Sequence, residues 1–428
     1  MVSGERPQAR RAFVFALACA LVCAVFLGLP KPAFAAIWEG IIVSAENGAP
    51  LQNVQVWCIR DAPGGSTTDN TDVLGHYEFD NPAFFLPGSQ YKIAPLKAGY
   101  RTWESSWHTY TGADLGGLHI RMWSQAHRMW GHDRFATATT IARETWSSFG
   151  MGGPVPPNII IASGDDRAAA DPLAASGLAW AYDAPVLLVS ATRTPHEVKE
   201  YVADAVAVHG AVVLHVVGGP VSVPQERIDE IVAYAGGWGP VVAERILSTG
   251  SRYDLAAAIL DRMKFVESID PSKTMTSRAL VANGADSEKF FDALALSPIA
   301  ANNGAPILLV RNDEVPTATR AAIEAFDPAR IIVGGGPMTV SDDVLEELDA
   351  LALMGAERWS GHTRYDTAVV IAEKAVGEGA LVWDLVGVAA KLPDAVTGGA
   401  ATGLQQGPIL LTNGTSLTEA TRLALERH

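Results

Sequence analysis

Three arginines recur at matching places in the chain, and each is followed by an aromatic residue and a helix-like pattern. The stretches that contain them are RMWGHDRFATATTIA at 128–142, RILSTGSRYDLAAAIL at 245–260 and RWSGHTRYDTAVVIA at 358–372. The arginines are Arg134, Arg252 and Arg364. A guanidinium group can hold a phosphate or carboxylate through two parallel hydrogen bonds, so these positions could bind an anionic ligand.

Three aspartates recur in the same way, each after an apolar stretch and at the start of a predicted helix. They are Asp171, Asp292 and Asp394. A carboxylate suits the positive end of a helix dipole. Each arginine could therefore hold a ligand, or it could pair with an aspartate of its own or a neighbouring copy and fasten the copies together. The sequence leaves both roles open.

Other candidate chemistry has less support. His132 and His362 recur before the arginines, but the second copy has Ser251 before its arginine and no matching histidine, which argues against shared catalysis. Gly218-Gly219-Pro220 follows a predicted strand and could cradle a phosphate, yet it lacks the glycine spacing of a dinucleotide site and the lysine of a P-loop. The stretch SGDD at 163–166 offers carboxylates for a cation, or is a solvated loop. We predict no catalytic residue, metal or cofactor.

These residues need elements that position them, and the pattern from residue 126 onwards supplies such elements. Apolar strands alternate with alanine-rich helices, which is typical of βαβ units around a parallel sheet. The strands APVLLVSAT (184–192), APILLVRND (305–313) and GPILLTNGT (407–415) are the same phrase written three times. They are apolar on both faces, so we expect covered strands whose polar carboxyl ends form a ligand-binding edge.

The repeat has a period of about 100–120 residues, which is too long for a solenoid and enough for one small module per copy. The third copy ends in the helix-like SLTEATRLALERH, with no following apolar strand and no Gly-Gly. Either that copy is truncated, or the last module lacks a strand.

Four motifs in a fixed order resemble the cell wall-binding repeat 2 family: Gly-x-x-Arg-Tyr-Asp-Thr-Ala (361–368), Asp-Ala-Leu-Ala (292–295), Ala-Pro-Ile-Leu-Leu (305–309) and Val-Gly-Gly (333–335). The resemblance implies three tandem modules in a pseudo-threefold arrangement on a Gram-positive surface protein. It also implies non-covalent attachment to an anionic polymer of the wall. The Ile-Leu-Leu stretch of the family, linked to that attachment, matches Leu187, Leu188, Leu308, Leu309, Leu410 and Leu411. We weigh this role against simple packing.

The copies also depart from the family pattern. The first has Phe135-Ala136-Thr137 where the third has Tyr365-Asp366-Thr367, and the second has Leu255 in place of that threonine. Pro172 follows the first aspartate, and the third copy lacks its final Gly-Gly. We therefore do not expect three equal binding sites.

Residues 37–122 show rough alternation of apolar and polar residues between turn sequences, which predicts an all-β domain. The stretches NVQVWC, TDVLGHYEFDN and LPGSQYKI resemble the prealbumin-like sandwich of carboxypeptidase regulatory-like domains. That resemblance implies an extracellular spacer or binding module and carries no catalytic residue.

The first 35 residues predict a secretory signal peptide. Arg6, Arg10 and Arg11 precede the apolar run AFVFALACALVCAVFLGL, and the Ala-Phe-Ala at 33–35 suits cleavage after Ala35. An uncleaved membrane anchor and a lipoprotein that uses Cys19 or Cys23 are the alternatives. Removal of residues 1–35 takes away four basic residues and one acidic residue, so the net charge changes from −15 to −18. Such a surface repels nucleic acid, and Cys58 remains as a single cysteine.

The sequence thus predicts a multidomain protein: a signal peptide (1–35), a β-sandwich (36–123) and three tandem α/β, Rossmann-like modules. The predicted modules span 124–240, 241–354 and 355–428. We predict a secreted, non-enzymatic cell-surface protein, with an anionic wall polymer as partner, no nucleic acid, and no membrane contact after signal cleavage. An exported enzyme that acts on wall glycan or peptide, and an adhesin that uses the modules as a scaffold, are the alternatives. The sequence leaves the identity of the polymer, the sandwich's ligand and the oligomeric state open.

Overall fold

The structure is a computed structural model. It describes residues 38–44, 48–61, 65–79, 84–97, 108–110, 120–122, 126, 128–146, 157–247 and 249–428. The predicted signal peptide lies outside these residues. The chain divides into two compact units, Met1–Arg128 and Met129–His428. In the part of the chain described, no helix has the length and apolar character needed to cross a membrane.

The N-terminal unit contains only β-strands among its described elements. They are β1 (Trp38–Ser44), β2 (Gln55–Arg60), β3 (Ser66–Asn70), β4 (His76–Phe79), β5 (Gln90–Leu96), β6 (His108–Thr109) and β7 (Ile120–Met122). Strands β4-β1-β7 form one small sheet and β3-β2-β5-β6 form another. Both sheets contribute to one cluster of buried side chains, which includes Trp38, Tyr77, Cys58 and Ile93. Burial raises the pKa of the Cys58 thiol to about 12.

The second unit begins with a module built on a four-stranded parallel sheet. Its helices are α1 (Arg134–Trp146), α2 (Ala170–Ala174), α3 (Ser176–Tyr182), α4 (His196–His209) and α5 (Gln225–Ala235). Its strands are β8 (Asn158–Ser163), β9 (Val186–Val189), β10 (Val212–Val217) and β11 (Val241–Arg245), in the order β11-β10-β8-β9. All the neighbouring strands are parallel. The βαβ pattern of the sequence therefore folds as predicted.

The second module repeats this arrangement, and its strand order is that of the first sheet read from the opposite edge. Its helices are α6 (Arg252–Ile269), α7 (Phe290–Asn303), α8 (Thr317–Phe326) and α9 (Asp342–Asp349). Its strands are β12 (Arg278–Asn283), β13 (Ile307–Val310), β14 (Arg330–Gly334) and β15 (Ala356–Trp359), in the order β13-β12-β14-β15. They are also parallel.

The third module is smaller in the part of the chain described. It contains α10 (Arg364–Gly377), β16 (Gly387–Ala389), α11 (Leu392–Ala395), α12 (Gly398–Leu404), β17 (Ile409–Leu411) and α13 (Glu419–Arg427). Its two strands pair in parallel and match the first two strands of each preceding module.

The last strand of each complete sheet lies beyond the boundary predicted from the repeat. Strand β11 falls inside 241–354 but pairs with β10, and β15 falls inside 355–428 but pairs with β14. The start of one sequence repeat therefore completes the sheet of the module before it. The periodicity of the sequence cannot reveal this, because a repeat can be cut at any point of its period.

The three modules contact one another through their central helices. Helix α3 of the first module packs against α6 and α7 of the second, and α12 of the third packs against α7. Helices α11 and α12 contact α1, so the third module also meets the first. The α7–α12 contact is very close: a Cβ on Gly399 would lie 1.7 Å from Ser297 Oγ. These helices and the sheets share one large buried core.

Candidate functional site

The three repeated arginines each begin a helix, because the residue before each one caps that helix. Ser251 and Thr363 accept hydrogen bonds from the backbone N–H groups of Asp254 and Asp366, and those aspartates close reciprocal capping boxes. In the first copy, the Asp133 carboxylate accepts from the N–H groups of the next helical residues. The caps fix where each helix starts and therefore where each arginine side chain leaves the backbone.

The glycine of the Gly-x-x-Arg motif forms a hydrogen bond with the threonine three residues after the arginine. The Gly131 N–H donates to Thr137 Oγ1 at 3.0 Å, and the Gly361 N–H donates to Thr367 Oγ1 at 3.0 Å. The second copy has Leu255 at this position, which has no hydroxyl group to accept such a bond. The leucine at position 255 therefore removes one hydrogen bond of the turn, while Arg252 still begins its helix.

The first arginine stays within its own module. Arg134 Nη1 donates to the carbonyl of Gly164 at 2.8 Å and to Asp166 Oδ1 at 2.5 Å. Asp166 belongs to the SGDD stretch, and its neighbour Asp165 accepts from the N–H of Ala191. The carboxylates of both aspartates in this loop therefore have hydrogen-bond partners within the module. Among the described residues, no group of three or more His, Cys, Asp or Glu side chains could hold a metal ion.

The other two arginines reach back to the preceding module. Arg252 donates to the Gly284 carbonyl of its own module at 2.5 Å and to the Arg167 carbonyl of the first module at 3.3 Å. Arg364 lies 3.7 Å from Glu288 of the second module, and its guanidinium lies 4.5 Å from the centre of the Phe291 ring. Both side chains are therefore placed where two modules meet.

Asp171 and Asp292 lie at the same two places and are buried, with 8% and 6% of their surface exposed. Burial raises the pKa of each carboxyl to about 6. The positive charges of Arg252 and Arg364, respectively, oppose that rise. Each aspartate therefore lies within electrostatic range of the arginine of the next module.

The Gly-Gly turns close over these aspartates. Gly218 has φ +119° and Gly335 has φ +103°, a region that side chains rarely adopt. A Cβ on Gly335 would lie 2.4 Å from Asp292 Oδ2, and a Cβ on Gly218 would lie 3.3 Å from Asp171 Oδ2. At Gly335 the Asp292 carboxylate excludes a side chain, whereas at Gly218 the nearest atom to a Cβ would be Ser222 Oγ, at 2.8 Å.

Two further arginines belong to these places, and sequence reasoning missed them. Arg245 Nη1 donates to the Gly218 carbonyl at 2.5 Å, and Arg358 Nη1 donates to the Gly335 carbonyl at 2.8 Å. Arg245 is the last residue of β11, and Arg358 is the next-to-last residue of β15. The sequence does contain a signal for them. Arg245 and Arg358 are the first residues of the aligned stretches that contain Arg252 and Arg364.

We call the two assemblies junctions. The first junction comprises Asp171, the turn Gly218–Pro220, Arg245 and Arg252. The second junction comprises Asp292, the turn Gly335–Pro337, Arg358 and Arg364. At the tip of each turn an apolar side chain is exposed: Val221 by 85% and Met338 by 84%. A partly exposed guanidinium beside an exposed turn can receive an anionic group from solvent.

The third pair of predicted residues, Arg134 and Asp394, belongs to the first and third modules. Helix α11, which contains Asp394, contacts α1, which begins at Arg134. The Asp394 side chain lies outside the described residues. Arg134 is already paired with Asp166 of its own module. That the three sites are unequal stays a prediction.

The six leucines lie inside the sheets. Each has at most 1% of its surface exposed: Leu187, Leu188, Leu308, Leu309, Leu410 and Leu411. Leu187 packs among side chains of α4 and α5, while Leu188 faces the core that contains the central helices. Since a polymer on the surface cannot reach them, their burial favours the packing role over direct contact with a ligand.

The recurrent histidines lie on the surface of the modules. The His132 side chain is 65% exposed and lies 3.6 Å from Glu197. His362 is also exposed. Neither belongs to a junction.

Comparison with known proteins gives a family match over most of the chain. The model of the family described as "Cell wall binding domain 2 (CWB2)" matches residues 128–228, 247–345 and 358–426. The N-acetylmuramoyl-L-alanine amidase LytC of Bacillus subtilis (strain 168) is 25% identical over 295 residues, which are 69% of this chain and 52% of that protein. The amidase enhancer of the same organism is 27% identical over 250 residues, 57% of this chain and 29% of that protein. The chain thus spans about half or less of these relatives.

Two solved structures share the fold. Cwp6 from Clostridium difficile superposes with a TM-score of 0.58 at 18% identity, covering 92% of this chain and 63% of Cwp6. Cwp8 from the same organism gives a TM-score of 0.56 at 22% identity, covering 80% of this chain and 55% of Cwp8. At these identities the likeness concerns the fold alone.

Proposed function

Because the chain belongs to the cell wall binding domain 2 family, and is therefore a protein of the cell wall or cell surface, we propose that its modules attach it to an anionic wall glycopolymer at the two junctions. The arginines Arg252 and Arg364 contact the polymer's phosphate or carboxylate groups. Arg245 and Arg358 hold the adjoining turns in place.

One observation carries this proposal: the same set of groups is assembled twice from different parts of the chain. Each junction joins a buried aspartate, a Gly-Gly turn and an arginine of the sheet's fourth strand with the helix-starting arginine of the next module. A contact that served only to join two modules would not require the turn and the second arginine. The partly exposed guanidinium groups, in a chain whose net charge is −15, support a local attraction for anions.

The N-terminal unit has a separate role in this proposal. Its two sheets around one buried cluster support a prealbumin-like sandwich that spans 36–123 and serves as a displayed domain or spacer. The signal peptide at 1–35 directs export, and the mature protein contacts neither membrane nor nucleic acid.

We propose sequence repeats at 124–240, 241–354 and 355–428, arranged around a pseudo-threefold axis, with the start of each later repeat completing the preceding sheet. The modules bind and do not catalyse. The exposed His132 and the lack of a matching histidine in the sequence before Arg252 support this.

The test is retention on purified cell walls. The full chain should sediment with intact walls and stay in solution when the wall polymer has been extracted chemically. A double variant, Arg252→Ala with Arg364→Ala, should lose retention while its circular dichroism and thermal unfolding stay close to the parent. Equal retention on intact and extracted walls would contradict the proposal. Retention by another protein or host surface in place of the wall would favour an adhesin.

A further inference from the structure

The two junctions carry the same groups but differ in charge at two repeat positions. The first is four residues before the buried aspartate: Arg167 in the first module and Glu288 in the second. The second lies seven residues after the first glycine of the turn, Gln225 in the first module and Asp342 in the second. Both differences make the second junction more acidic.

The contacts show what these differences do. Arg364 lies 3.7 Å from the Glu288 carboxylate, and Arg358 Nη2 donates to Asp342 Oδ1 at 3.1 Å. At the first junction, Arg252 bonds two backbone carbonyls and Arg245 bonds the uncharged amide oxygen of Gln225 at 3.3 Å. The second junction therefore has its own carboxylates on both arginines, and the first does not.

Arg167 adds a third guanidinium to the first junction. Its carbonyl accepts from Arg252, and its side chain is exposed with no hydrogen-bond or ion-pair partner in the described part of the chain. The adjoining carboxylate, Asp166, is paired with Arg134. The second junction has Lys289, which donates to the Met338 carbonyl at 2.8 Å.

The two places thus differ in their balance of charge. The first junction has three cations, Arg167, Arg245 and Arg252, against the single carboxylate of Asp171. The second has three cations, Lys289, Arg358 and Arg364, against the carboxylates of Glu288, Asp292 and Asp342. An anionic ligand must displace Glu288 from Arg364 at the second junction, whereas at the first it meets Arg252, which bonds only uncharged carbonyls.

We propose that the first junction is the high-affinity site for the anionic groups of the polymer, and that Arg167 and Glu288 set the order of the two sites. This rests on the proposed function and adds to it that one repeat position ranks the sites. The ligand class is a phosphodiester or a uronic-acid carboxylate, since both present the negative oxygens that an arginine fork recognises.

The experiment measures each junction separately by hydrogen–deuterium exchange of the full chain. The probes are a synthetic poly(glycerol phosphate) oligomer and a polyuronate oligosaccharide, each titrated at fixed ionic strength. The exchange of the backbone amides around Gly218–Ser222 reports the first junction, and that around Gly335–Thr339 reports the second. The probe that protects these amides at the lower concentration identifies the ligand chemistry.

We expect the first turn to be protected at a lower probe concentration than the second. Arg167→Glu should weaken protection of the first turn roughly tenfold, because an attraction becomes a repulsion near the surface. Glu288→Arg should strengthen protection of the second turn by a similar factor, and the double swap should reverse the order. Arg143→Glu and Glu324→Arg make the same charge changes away from both junctions and should leave the order unchanged.

Protection of both turns at one concentration, or an order that the double swap leaves unchanged, would overturn the ranking. If the chain is retained on walls but neither turn is protected, the ranking fails while wall attachment stands. If the chain is not retained on walls, the proposed function itself fails.

Discussion

The repeated leucines and the repeated arginines are equally regular in the sequence but lie in different surroundings. The leucine pairs are completely buried in the sheets, whereas the arginines begin helices at the places where modules meet. The residues linked by family resemblance to attachment are therefore those that a ligand cannot touch. Repetition alone does not separate a core from a binding site. Burial does, and each prediction below tests that separation.

The largest expected effect is on the core. Leu308→Ala should lower the free energy of unfolding by about 2–5 kcal/mol, because Leu308 is fully buried and its removal leaves a cavity. Chemical denaturation measures this, and Leu417→Ala, at a leucine that is 48% exposed, is the matched control. Any loss of wall retention should follow the loss of folded protein. If Leu308→Ala abolished retention at unchanged stability, the leucines would belong to the site.

The buried aspartates should give the chain a pH dependence that the core lacks. The pKa of Asp292 rises from its ordinary 3.8 to about 6 on folding, so the folded state binds the proton more tightly than the unfolded state. This contribution is present in full below pH 3.8 and is lost as the pH rises to about 6. At about 1.4 kcal/mol per pKa unit, it amounts to about 3 kcal/mol.

Asp292→Asn should therefore flatten the fall in unfolding free energy between pH 4 and pH 7, relative to the parent, by roughly 2–3 kcal/mol. Denaturant titrations at a series of pH values measure the difference. Asp261→Asn, at an exposed position on α6, should leave the slope as it is. A variant at position 292 with the parent's slope would mean that the carboxyl is ionised in the folded protein and fully compensated by Arg364.

The turn that covers the aspartate should tolerate no side chain. Gly335→Ala should cost about 1–3 kcal/mol, because Gly335 has a positive φ and the new Cβ would meet Asp292 Oδ2 at 2.4 Å. Gly336→Ala is the control one residue on, since a Cβ there meets nothing within 4 Å. Thermal unfolding of the two variants compares them directly. Similar losses at both positions would mean that flexibility of the turn, and not the close carboxylate, requires glycine.

The sequence predicts much of this fold because strand composition and repeat order are local properties. The strands with the Val/Ile-Leu-Leu core and the arginine-led helices are found where the pattern places them. The pattern does not show that Arg252 reaches the carbonyl of Arg167, 85 positions earlier, because that contact depends on how modules pack. It also hides the roles of Arg245 and Arg358, whose strands complete the sheet of the preceding module.

The smallest effect on stability and the sharpest effect on binding should come from Arg252. Arg252→Ala removes two hydrogen bonds to carbonyls at a partly exposed place, which costs about 1 kcal/mol or less for each. Wall retention should nevertheless fall several-fold, since the first junction loses one of its three cations.

Arg134→Ala is the control for that comparison, because Arg134 occupies the same repeat position but is paired within its own module. It should lose a similar amount of stability and keep wall retention. If Arg252→Ala unfolds the chain, this arginine is a fastener of modules and its exposed surface is incidental. If both variants lose retention equally, the region where the third module contacts the first also binds the polymer, and a Gly-Gly turn is not required for binding.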